Sequence, residues 1–204
     1  MTDLIVTGAI LQRTPTDTAV GDLFVRGSMI TAEGDPAADS AVVDGRGASI
    51  VPLFVDTVFG SPEPPASDAF DLIPGHPATF AVIDDRVGSD EIRHMLVVRP
   101  DRLRAVVVDG SVIVRDGHSL RPAGTDLSPS DPRLTAWTDP RRDMTQYLTA
   151  DGRYSETRGG RRDAWTGQFW IDGARITYLD DSGFWAFGQF HGGQLHHAGF
   201  VLES

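Results

Sequence analysis

Turn signals recur at intervals of roughly ten residues along this chain, and that spacing constrains the fold more than any other feature. Asp-Gly, Gly-Gly and Arg-Gly pairs punctuate short segments whose apolar residues alternate or form β-branched runs such as Val106-Val107-Val108. Segments this short cannot carry a helical apolar stripe, whereas alternation builds a half-buried strand. Glycine supplies the positive φ that two-residue hairpins need. The prolines fall largely outside the runs, and the best helical candidate, Asp90 to Leu96, is short. An all-β protein is expected.

Composition then removes whole classes of chemistry. The 204 residues contain no cysteine and no lysine, so all 18 basic residues are arginine. Disulfides, thiol nucleophiles, cysteine zinc sites and iron–sulfur clusters are excluded. So are Schiff-base chemistry and the phosphate-loop lysine. Arginine in place of lysine fits a GC-rich genome better than a halophile's acidic surface. The net charge of −11 argues against nucleic acid as a partner. No apolar run reaches the roughly 18 residues of a membrane span. The opening Met-Thr-Asp-Leu-Ile lacks a signal peptide's basic start. A cytoplasmic protein with no membrane partner is expected.

A proline- and serine-rich stretch from Arg121 to Asp131 divides the chain, and a second polar stretch, Ser61 to Ser67, interrupts the first half. Up to Gly124 there are 10 basic and 18 acidic residues, and after it 8 and 11, so neither half is a basic docking arm. The first half holds a quasi-repeat. Val25-Arg26-Gly27-Ser28-Met29-Ile30 aligns with Val108-Asp109-Gly110-Ser111-Val112-Ile113, and Glu33-Gly34 with Asp116-Gly117. Either these are two unrelated hairpins, or related hairpins from opposite ends of the half pair into one sandwich.

Asp3-Leu4-Ile5-Val6-Thr7-Gly8-Ala9, Gly21 to Gly27, Val43-Asp44-Gly45-Arg46-Gly47 and Val51 to Thr57 resemble the opening of metal-dependent amidohydrolases of the urease and dihydroorotase type. Ile73 to Asp84 is similar to the strand where that family's chain leaves its catalytic barrel, and Val106 to Gly117 closes the pattern. The resemblance covers about residues 3–120 and implies a small β-sandwich. The family's (β/α)₈ barrel takes roughly 250 residues. Only Gly60 to Leu72 stands at its insertion point, with Val58-Phe59-Gly60 where two metal-binding histidines belong. The barrel, its ligands and its hydrolytic chemistry are thus expected to be missing.

In the second half, candidate strands are Arg133–Thr138, Met144–Thr149, Arg153–Arg158, Ala164–Ile171, Ala174–Asp180, Gly183–Phe190 and Gln194–Leu202. The turns between them suggest an up-and-down meander, and closing it removes exposed edges. Trp137, Asp151-Gly152-Arg153-Tyr154, Glu156, Arg158-Gly159, Ile176-Thr177-Tyr178, Asp180 to Phe184 and Leu195 to Gly199 carry a second resemblance. Over about residues 134–203 this half resembles a small uncharacterised bacterial family with a streptavidin-like barrel. That implies a lipocalin- or calycin-like barrel with room for one small ligand, and no reaction.

Alternation sorts the polar residues. Tyr154, Glu156 and Arg158 share one face, where a phenol, a carboxylate and a guanidinium could bind a polar ligand or form a solvated ion-paired surface. Ile176, Tyr178 and Asp180 share a face, as do Trp185 and Phe187. His196 and His197 point oppositely, so at most one enters the barrel and the pair makes a poor metal site. Asp181 could act as an acid or base at the mouth, or serve the turn. All four tryptophans, Trp137, Trp165, Trp170 and Trp185, fall in this half. They can line a pocket or pack the core. His76, His94 and His118 have no evident partners.

The expectation is therefore a truncated amidohydrolase-type sandwich (1–120), a linker (121–132) and a streptavidin-like barrel (133–204). The barrel would bind a small aromatic or cyclic organic molecule through Trp137, Tyr154, Arg158, Tyr178, Trp185 and His196 or His197. No cofactor or metal is expected. The alternatives are a cofactor-free enzyme using Asp181 or Glu156 as a base, and a structural module; a homo-oligomer stays open.

Overall fold

The computed structural model describes residues 3–32, 40–88 and 97–204. The helical candidate at 90–96, with His94, and the Glu33-Gly34 arm of the quasi-repeat lie outside them. The chain divides into two compact units, Met1–Phe54 with Ala66–Leu120, and Val55–Pro65 with Arg121–Ser204. Nearly all regular structure is β, with short 3₁₀ turns at Asp56–Gly60 and Pro100–Arg102.

The first unit contains β1 (Leu4–Thr14), β2 (Asp17–Arg26), β3 (Met29–Thr31), β4 (Ala41–Asp44), β5 (Ser49–Pro52), β6 (Phe80–Ile83), β7 (Val97–Val98), β8 (Leu103–Val108), β9 (Ser111–Arg115) and β10 (His118–Ser119). One sheet runs β10-β9-β8-β6-β5-β1-β2-β3, with β4 also beside β1. The switch of partner on β1 has a local cause. Leu4 to Thr7 pairs with β4 and Ile10–Leu11 with β5, both parallel. Between them Gly8 takes φ +64 and donates its N–H to Asp22 Oδ1 at 2.7 Å. β6 and most of β8 are buried on both faces, which is why Val106-Val107-Val108 is continuous rather than alternating.

The two hairpins of the quasi-repeat meet at their turns. A Cβ on Gly110 would lie 1.8 Å from the Gly27 carbonyl oxygen. Ala78 donates to Ser28 O and accepts from Gly110 N. Their registers differ by one residue, however. Arg26 pairs with Met29 around Gly27-Ser28, whereas Val108 pairs with Ser111 around Asp109-Gly110. The second turn has both central residues at positive φ and the first has only its glycine, which are the two favoured hairpin geometries.

The second unit carries β11 (Ala136–Asp139), β12 (Met144–Leu148), β13 (Arg153–Arg158), β14 (Arg161–Asp172), β15 (Arg175–Asp180), β16 (Trp185–His191), β17 (Gln194–His197) and β18 (Phe200–Leu202). Each pairs antiparallel with the next. Thr138 and Glu203 exchange backbone hydrogen bonds of 2.8 and 3.0 Å and close the ring. The segment expected as one strand from Gln194 to Leu202 is two, because Ala198 and Gly199 both take positive φ and turn the chain. Residues after Arg121 pack into this unit. Leu127 and Leu134 rest on its core, and Arg121 O accepts the Trp170 indole N–H at 3.0 Å.

Candidate functional site

Cross-strand partners share a face, so the register fixes which side chains enter the barrel. The pairs Gln146–Glu156, Phe169–Tyr178 and Gly188–His197 all do. Trp137, Met144, Leu148, Tyr154, Phe169, Ile176, Tyr178, Leu195 and Leu202 form the apolar filling. Trp137 packs on Phe190, with ring centroids 5.4 Å apart, and donates its indole N–H to Arg133 O. Trp137 pairs across the sheet with Gln146, where the polar part of the interior begins.

There a chain of hydrogen bonds crosses the barrel. The Tyr178 hydroxyl donates to Gln146 Oε1 at 2.9 Å, Gln146 Nε2 donates to Glu156 Oε1 at 2.9 Å, and Arg158 Nε donates to Glu156 Oε2 at 2.8 Å. Gln146 and Glu156 are buried, but the Arg158 side chain is 35% exposed. His197 stands on the same face, 3.9 Å from Glu156 and 4.3 Å, ring to ring, from Tyr178. Tyr154 donates to Asp180 Oδ2 at 3.1 Å and meets the Tyr178 ring edge-on. Arg142 and Arg158 both cover the Phe200 ring, at 5.1 and 5.0 Å. Trp165, directly opposite Glu156 on β14, is 44% exposed.

The electrostatics follow from burial. Loss of water pushes the Glu156 carboxyl up, and Arg158 and Gln146 pull it only partly back. Burial drives His197 down to about 4, so it is neutral at pH 7. Burial raises Tyr178 well above the ordinary phenol range, which fixes its hydroxyl as a donor. The polar end thus offers a carboxylate already bonded on both oxygens and a guanidinium whose outer edge meets solvent.

The structure brings Trp137, Tyr154, Glu156, Arg158, Tyr178 and His197 to the inner face. The reading of Tyr154, Glu156 and Arg158 as a solvated outer surface does not hold, because Glu156 is only 2% exposed. Trp185 and His196 lie on the outer face. Trp185 stacks on Trp170 at 5.4 Å, and His196 Nδ1 lies 3.0 Å from Thr57 Oγ1. Asp181 sits at the rim, bound by Arg153 at 2.6 Å and by the Thr166 hydroxyl. Both hold its carboxyl below the ordinary range. Sequence reasoning missed Gln146, Arg142 and Phe200. The signal for Gln146 was present: it is the polar residue between Met144 and Leu148 on the face that those two residues turn inward. Among the described residues no three His, Asp or Glu side chains converge as metal ligands, and no helix is long and apolar enough to cross a membrane.

Fold and site define a nearly closed eight-stranded up-and-down β-barrel with a buried chain of polar side chains reaching one mouth. A family model described as Agrobacterium tumefaciens protein Atu4866 matches residues 130–204. The solution structure of the protein Atu4866 from Agrobacterium tumefaciens is 38% identical, over 36% of this chain and 94% of that one, with a TM-score of 0.33. Residues 130–204 are thus similar to the Atu4866 family. No curated protein matches.

Proposed function

We propose that the barrel binds a small, neutral aromatic or cyclic molecule bearing a hydrogen-bond acceptor, at the mouth formed by Arg158 and Trp165. The observation that carries this is the split burial of one ion pair. Glu156 is enclosed and bonded on both oxygens, and the guanidinium it holds is 35% exposed. The pair's charges cancel, which favours a neutral ligand over an ion. Arginine's planar fork suits a carbonyl acceptor, and the half-exposed indole supplies an apolar face for a ring.

The first unit is read as a support without catalytic groups, in keeping with the amidohydrolase resemblance of residues 3–120. A second reading is a cofactor-free enzyme with Glu156 as its acid or base, favoured by the upward shift of that carboxyl. Asp181 suits the role less, being tied to Arg153.

The test is indole emission of the full chain during titration with benzamide, caprolactam and coumarin. A saturable change that is lost in both Trp165→Phe and Arg158→Met supports the binding reading. No saturable change with any of the three probes counts against it.

A further inference from the structure

A separate groove lies outside the barrel, at the seam where β11 meets β18. It has a volume of about 490 Å³ and is lined by Thr57 and Gly60 to Pro62, by Thr138 to Arg142, and by Gln194, His196, Val201 and Glu203, which all belong to the second unit.

Its polar inventory is unusual in being incomplete. His196 is fully buried and uses Nδ1 on the Thr57 hydroxyl, but its Nε2 has no hydrogen-bond partner among the described residues. The buried Ser61 hydroxyl, which also lines the groove, has none either. Buried polar groups left unpaired are costly, so two of them lining one groove mark a place where a ligand's polar atoms are missing.

The charges are also unevenly used. Arg142 is drawn to Asp139 at 3.8 Å and donates to Gly199 O. Arg141 donates its backbone N–H to Asp139 Oδ1, and its exposed guanidinium has no ion-pair partner among the described residues. Glu203 accepts one hydrogen bond from Gln194 Nε2 at 3.0 Å and likewise has no cationic partner there. Beside the Arg142–Asp139 pair, one unpaired cation and one unpaired anion therefore line the same groove, together with two unsatisfied neutral groups.

We propose that this groove binds a small zwitterion of the amino-acid class. Arg141 and the Ser61 hydroxyl take the carboxylate, with His196 Nε2 as a further donor, and Glu203 takes the ammonium. A lone anion would leave Glu203 opposed to it, and a lone cation would leave Arg141 opposed. This site is independent of the barrel mouth and stands or falls separately.

The experiment is calorimetric and NMR titration of the full chain with L-alanine, L-glutamate and L-phenylalanine, with sodium acetate and ethylammonium chloride as half-ligands. At least one amino acid is expected to bind saturably and shift the Ser61 and Arg141 amides, with either half-ligand about tenfold weaker or more. Arg141→Ala and Glu203→Gln, both on exposed side chains, should each weaken binding about tenfold without changing the melting temperature. Because His196→Ala removes a buried ring, Ser61→Ala serves as the check on the neutral donors. Three results would overturn the proposal: no saturable response from any amino acid, acetate binding as tightly as the amino acids, or shifts confined to Trp165 and Phe200 at the mouth.

Discussion

Arg158 reaches back two positions along its own strand to place Nε 2.8 Å from Glu156 Oε2, so that one member of the pair is enclosed and the other reaches solvent. Removing the guanidinium would leave a buried carboxylate with Gln146 as its sole remaining donor. Arg158→Met is therefore expected to destabilise the protein by about 2 kcal/mol at neutral pH. That penalty should shrink on acidification, because a protonated carboxyl no longer needs the charge. Urea unfolding of both proteins at pH 7 and pH 5 checks this, and an equal loss at both values would contradict it.

His197 gives the barrel a pH dependence whose sign is fixed. Its folded pKa of about 4 lies below the ordinary 6.5, so its stability contribution is complete above 6.5 and is lost as pH falls from there toward 4. The shift corresponds to roughly 3 kcal/mol. Glu156 acts in the opposite sense, because its folded pKa is raised and its ionisation costs stability as pH rises above the ordinary 4.5. Glu156→Gln should steepen the loss of stability between pH 6.5 and 4, and His197→Gln should flatten it. Denaturant midpoints across this range decide the matter.

Tyr178→Phe removes the hydroxyl that bonds Gln146 Oε1 and leaves a buried amide oxygen without its donor. A loss of about 1–2 kcal/mol is expected, with little change in fold. Thermal unfolding of the variant measures it.

In the first unit, Gly110→Ala is expected to be severe. The added Cβ would meet the Gly27 carbonyl oxygen at 1.8 Å, at a residue with φ +78. Gly192→Ala is the control: it has φ +57 but nothing within 4 Å of the added carbon. The control should lose about 1 kcal/mol from backbone strain alone. Gly110→Ala should lose clearly more in the same unfolding assay.

Much of the barrel was legible in the sequence because its strands obey a period of two and its turns carry glycine. Arg153–Arg158 was placed at its observed bounds for that reason. The hairpin inside Gln194–Leu202 was not, since Ala198 at positive φ gives no compositional warning. Alternation placed Tyr154, Glu156 and Arg158 on one face, but could not say which face was inside. That depends on closure between Thr138 and Glu203, a contact 65 residues apart in sequence. Trp185 and His196 illustrate the same limit. Both are fully buried, yet they are buried on the outer surface of the sheet, which no strand pattern distinguishes from the core.

Binding at the barrel, as proposed, requires that the Arg158 mouth receive a neutral ring. The most direct measurement is the pair of side-chain N–H NMR signals of Arg158 Nε and Trp165 Nε1 during benzamide titration of the full chain. Both are expected to shift together along one saturable curve, and the Trp165 response should vanish in Arg158→Met. If both signals stay still at saturating probe, or Trp165 responds equally without Arg158, the barrel mouth is not the binding site.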